Sequence, residues 1–197
     1  ELYLAIGNGG TFFGRKVKKS TVVYFDLELQ HSLYFLRLSK QHKSDLPDNM
    51  YYEETRIDCL DDSLLNSAAD AMIEAGVEVV IVDSYSQWCV GLEENSNSQH
   101  AIVLQQLIKL QNRGLTLIFL NHTRKGPVSG NPIEMLRGGS VIASGASTIL
   151  FLEKQTDTYR LRQIKDRLLP TEEWLDVFFR FSTNENGELK PILMEDT

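Results

Sequence analysis

A chain of 197 residues, 42% hydrophobic and 24% charged, has the make-up of one globular domain with a substantial core. Its formal net charge of −7 excludes a surface coated in basic residues for nucleic acid, while leaving room for a local basic site. No apolar run approaches the roughly 20 residues that span a bilayer and no signal peptide is recognisable, so no membrane partner is expected.

In chain order, Leu2, Leu4, Ala5 and Ile6 predict a short helix closed by glycines. The stretch GNGGTFFGRK, residues 7 to 16, then approaches the phosphate-cradling pattern GxxxxGK[ST]. That loop requires a buried strand before it and a helix after it, so that backbone N–H groups converge on phosphate. Here the order is helix, loop, strand. Arg15 stands in the Lys place and Lys16 in the Ser/Thr place. The match is a decoy.

Residues 21 to 27 (TVVYFDL) predict a strand buried on both faces, and residues 29 to 42 a helix carrying Leu33, Leu36 and Leu38. A short strand is expected over residues 55 to 59. A helix follows over residues 62 to 75, with Asp61 or Asp62 as N-cap. EVVIVDS, 78 to 84, is a continuous apolar run ending in Asp83. Residues 98 to 113 place Ile102, Leu104, Leu107, Ile108 and Leu110 at helical spacing and close at Arg113-Gly114. LTLIFLNH, 115 to 122, is a further buried strand. Unbroken apolar strands separated by helices imply an α/β fold with a parallel sheet covered on both faces. After residue 148, TILFLEK, TYRLRQIK, LDVFFRFS and ELKPILM alternate apolar and polar residues between turns, which suggests antiparallel strands extending that sheet. Cys59 and Cys89 fit neither a metal spacing nor a disulfide framework, so a reducing, cytoplasmic setting is expected.

Ligands of open α/β sheets bind outside the carboxyl ends of the strands. Three strands end there in polar residues: Asp26 and Glu28 after the first, Asp83-Ser84 after the second, Asn121-His122 after the third. Four apolar residues followed by Asp is what nucleotide enzymes use to hold Mg²⁺, directly or through water. The competing reading of Asp83 is a carboxylate that caps the strand end.

The ordered set of segments resembles the core of a RecA-like ATPase, in particular the branch of RepA-type hexameric replicative helicases. ELYLAIGNGGTFFGRKVKKSTVVYFDLEL is similar to the helix, glycine turn and strand that follow the P-loop in that family. EVVIVDSYSQWCVGLEENSNS resembles the Walker B strand and its loop, LTLIFLNHTRKG the sensor strand, and MLRGGSVIASGASTILFLEK the Arg-Gly-Ser helix and the next strand. The resemblance implies a P-loop just upstream of Glu1, hence a single RecA-like core domain over residues 1–197 that is truncated at its N-terminus.

Residue by residue, the resemblance implies roles. Glu28 falls at the carboxylate that deprotonates the attacking water, Asp83 at the Mg²⁺-linked acid, and Ser84 adds a hydroxyl to the water shell. His122 falls at the sensor of the γ-phosphate, where its neighbour is commonly His but is Asn121 here. Lys125 and Arg137 match the cations that a neighbouring subunit inserts, and Arg124 is adjacent. ATP, Mg²⁺, a homo-oligomeric ring (a hexamer in that family) and single-stranded DNA are the implied ligands and partners. Two loops, residues 87 to 98 and 126 to 138, would face the channel of such a ring. Trp88 in the first could stack on a base, although a Trp after a core strand more often packs. The function implied is an ATP-driven DNA motor or switch, most like a RepA-type helicase. The alternative is a non-hydrolysing nucleotide- or DNA-binding regulator on the same fold.

Overall fold

The computed structural model describes residues 1–29, 31–93, 96–123, 132–135 and 139–194. Helix α1 (Leu2–Asn8) buries Tyr3, Leu4 and Ile6 and ends where Gly9 adopts the left-handed conformation at φ 71°, its N–H bonded to Ala5 O at 3.0 Å. A two-residue hairpin follows, β1 (Thr11–Phe12) paired antiparallel with β2 (Arg15–Lys16). Phe13 and Gly14 both have positive φ, the requirement of a tight hairpin turn. Phe12 and Phe13 pack against a distant apolar cluster, Phe13 lying 4.7 Å from the Phe179 ring. The glycine-rich stretch is therefore a packing clasp, in agreement with its strand-after-loop order.

The parallel sheet has the order β4-β3-β5-β6, built from β3 (Val22–Asp26), β4 (Met50–Glu53), β5 (Val79–Asp83) and β6 (Thr116–Leu120). Val22, Val79 and Ile81 face one apolar cluster with Tyr3, Leu4 and Tyr34. Val23, Phe25, Val80 and Val82 face the other. That second cluster is closed by Leu65 and Ala69 of α3 (Asp62–Glu74) and by Val103, Leu107 and Leu110 of α5 (Asn97–Asn112). Asp61 caps α3, its carboxylate accepting from Leu64 N at 3.0 Å. Strand β4 follows β3 to one side, and β5 returns to its other side. The strand order thus reverses between β3 and β5, and it is outside the carboxyl ends at such a switch point that open α/β sheets bind ligands.

Two expectations, the position of the short strand and the place of the C-terminal strands, are corrected. The short strand is Met50–Glu53, not residues 55 to 59, because Met50 is buried and pairs in register with Val22. Helix α2 (His31–Gln41) exposes Leu33 and Leu36; its buried residue is Tyr34, stacked on Tyr52 at 4.1 Å. The C-terminal strands do not extend the parallel sheet among the described residues. Strands β7 (Thr148–Lys154), β8 (Tyr159–Asp166), β9 (Asp176–Thr183) and β10 (Leu189–Leu193) form their own antiparallel sheet of order β10-β9-β8-β7. Two short helices are α4 (Tyr85–Trp88), which follows β5 directly at the carboxyl edge, and α6 (Gly139–Gly145). The ends of α6 and β8 are joined by the Lys165 ammonium, which donates to Ala143 O at 2.6 Å and Ser144 O at 3.0 Å. No helix of the described residues is long and apolar enough to cross a membrane.

Candidate active site

Parallel pairing sets the site's floor. Asp26, the last residue of β3, is in register with Asp83, the last residue of β5. Beyond that pair Leu27 N donates to Asp83 O at 2.7 Å. The chain then turns, and a single oxygen, Asp26 Oδ1, accepts from Glu28 N at 3.2 Å and Leu29 N at 2.8 Å. Asp26 is only 2% exposed, and its Oδ2 is buried without a hydrogen-bond partner among the described residues.

The turn delivers the Glu28 carboxylate to two neighbours from the adjacent strand ends. Ser84 is fully buried, and its Oγ donates to Glu28 Oε1. His122 Nε2 lies 3.2 Å from both Oε1 and Oε2 of Glu28. A carboxylate only accepts, so the imidazole carries its proton on Nε2. Ser84 Oγ is also 2.9 Å from Ser86 Oγ in α4. Because Ser84 gives its one proton to Glu28, Ser86 is the donor in that second bond. The chain of donors therefore runs from Ser86 through Ser84 to Glu28.

Asp83 is half-buried and accepts from the Tyr24 phenol at 2.5 Å. Burial pushes its carboxyl above the usual Asp range, with the charges of Glu28 and Asp26 adding to the rise and the Tyr24 bond opposing it. The Tyr24 phenol is raised far above its ordinary value by burial and by the Asp83 carboxylate, which keeps it a donor. Glu28 moves the other way: the Ser84 hydrogen bond, and less so His122, hold it below the ordinary Glu value against a smaller desolvation effect. One acid is thus kept ionised beside another that is short of positive charge.

A pH dependence follows. A carboxylate that serves as a base must be deprotonated, so with Glu28 in that role the acidic limb of a turnover–pH profile would track it. Ser84→Ala removes the largest cause of the depression, and the Glu28 value rises towards the ordinary one. The acidic limb of kcat is expected at higher pH in Ser84→Ala than in wild type. By linkage, stability due to the Ser84 bond is present above the ordinary Glu range and lost as pH falls through the depressed value. Superimposable profiles measured over the acidic range would remove Ser84 from this role.

Of the residues singled out in the sequence, Glu28, Asp83, Ser84 and His122 come together at one edge. Asn121 is half-buried immediately before His122. Lys125 and Arg137, with Arg124, lie outside the described residues. The loop expected over residues 87 to 98 is shorter, since Gln87 and Trp88 end α4 and Asn97 and Ser98 begin α5. Trp88 is 7% exposed and stacks on Phe119 at 5.3 Å, so it belongs to the core. Sequence reasoning gave no role to Tyr24, Asp26 or Ser86. The signal for Tyr24 and Asp26 was the period of two that puts them on one face of β3.

Residues 1–128, well over half of the chain, match a family model described as AAA domain. A comparison with curated proteins gave no match. The matched span contains Glu28, Asp83, Ser84, Asn121 and His122, every described residue of the site.

Proposed function

This chain belongs to the AAA domain family of nucleotide-dependent ATPases, and from that premise we propose that it is the ATP-hydrolysing core of a DNA motor, similar to a RepA-type ring helicase. The observation that carries the reading is Glu28, held between Ser84 and His122 one strand away from Asp83.

The donors at this edge are hard oxygens, and burial together with the Glu28 and Asp26 charges raises the Asp83 carboxyl, a setting that a cation would relieve. That fits Mg²⁺, which takes one or two carboxylates and completes its shell with water and phosphate. Asp83 would hold it with ATP, Ser84 would back its water shell, and a bound ion would neutralise the charge developing on the transferred phosphoryl group. We read Glu28 as the acceptor of the attacking water's proton, and its carboxyl, held below the ordinary Glu value, is ionised across the neutral range. His122, half of whose side chain or more remains in solvent, can exchange its Glu28 bond for one to a phosphate oxygen. In doing so it couples the state of the nucleotide to the segment that follows β6.

Phosphoryl transfer at an edge lined by Asp26, Glu28 and Asp83 needs further positive charge. We assign it to Lys125 and Arg137 reaching the neighbouring subunit's site in a head-to-tail ring on single-stranded DNA. If the site is shared, Arg137→Ala and Glu28→Gln are each dead for different interfaces. Mixed rings then regain interfaces in which a good Arg faces a good Glu. An ATPase titration of one variant against the other, with subunits exchanging, is expected to show partial recovery. No recovery at any ratio, with a monomer by light scattering in nucleotide, contradicts the ring and favours a regulator on this fold.

A further inference from the structure

We propose that Asp26 is the positioning residue of the site, a clamp on the turn backbone that sets where the Glu28 carboxylate points; the inference rests on Glu28 being the base. The last N–H that the parallel sheet itself satisfies on this strand is that of Leu27. The next two, from Glu28 and Leu29, converge on Asp26 Oδ1 at 3.2 and 2.8 Å. Two bonds to one oxygen fix the backbone on both sides of the Glu28 Cα. From there the side chain meets Ser84 and His122, partners 56 and 94 residues away along the chain. A turn free to move would lose both contacts at once.

The manner of burial separates this from an ordinary strand-end turn. Asp26 is 2% exposed, and its second oxygen has no hydrogen-bond partner among the described residues. Burying a carboxylate with half its acceptor capacity unused is costly, and surface turns close with Asn, Ser or Gly without that cost. What this position gains is a short, rigid acceptor in register with Asp83, which fixes Glu28 relative to the metal-linked acid. Pre-organisation of that kind is worth a large factor, since a misplacement of about 1 Å can cost about 10²-fold in rate.

The test compares Asp26→Asn, which keeps the oxygen acceptor, with Asp26→Ala, which lacks it, in the full-length protein. Amide hydrogen exchange without nucleotide reads the clamp, and steady-state ATP turnover reads its consequence. Asp26→Asn is expected to keep Glu28 and Leu29 amide protection and a kcat within about threefold of wild type. Asp26→Ala is expected to lose protection at those two amides but not at Tyr24 in β3, and to lose kcat by about tenfold or more with KM for ATP little changed. Intact protection or intact kcat in Asp26→Ala overturns the proposal. So does an Asn variant as impaired as the Ala variant, which would make charge rather than the clamp the property that matters. Should Asp26→Ala not fold, a tenfold loss of kcat in folded Asp26→Asn suffices to overturn it. Glu28→Gln run alongside distinguishes the two levels: wild-type turnover there removes the functional reading, while amide exchange still decides the clamp.

Discussion

Glu28→Gln is expected to slow ATP turnover by the full-length protein by about 10²-fold or more in a steady-state phosphate-release assay, with ATP binding retained. Gln has the shape of Glu, and its amide oxygen can still accept from Ser84 Oγ, so the turn and the serine chain persist. What it lacks is basicity. A loss of 10² corresponds to about 2.7 kcal/mol of barrier, which is within the range of general-base catalysis and above what one repositioned neutral hydrogen bond supplies. The contrast with Ser84→Ala is informative, because that change keeps the basic group itself and shifts the pH at which it works.

Trp88→Ala is expected to destabilise the fold by about 3–5 kcal/mol, the usual range for truncating a buried aromatic residue. Trp88 stacks on Phe119 and borders an apolar cavity of about 30 Å³ with Phe25, Val82 and Leu110. A void already exists there, so truncation enlarges it where a tighter core could collapse. Thermal unfolding reads the effect. A variant with unchanged Tm and weakened single-stranded DNA binding would instead support base stacking by this ring.

The site was legible in the sequence because its three strands are uninterrupted apolar runs. VVYFD and VVIVD end in Asp, TLIFL is followed directly by Asn121-His122, and parallel pairing brings those carboxyl ends together. The edge strand at Met50 was not legible. It is half-buried, its Tyr51 faces solvent, and its pairing with β3 depends on α1, where a Cβ on Gly7 would collide with the Met50 sulfur. Ile57 and Cys59 looked strand-like because they alternate into the core, yet they pack there without pairing. In α2 the buried residue is Tyr34, tilted against Tyr24 and stacked on Tyr52, and those ring contacts leave no periodic trace in the sequence. Glu28 could be named from its place after a strand. Its grip by Asp26, Ser84 and His122 depends on distances that only folding creates.

The central claim is that the carboxyl edge of the parallel sheet hydrolyses ATP with Glu28 as base. Its most direct test is a single-turnover experiment on the full-length protein, with protein in excess over γ-labelled ATP and Mg²⁺ present, wild type beside Glu28→Gln. Bound ATP and released phosphate are measured on the same samples. The account predicts equal ATP binding, rapid phosphate release by wild type, and release slowed by about 10²-fold or more in Glu28→Gln. Equal release rates in the two proteins, or no release from wild type, would contradict it.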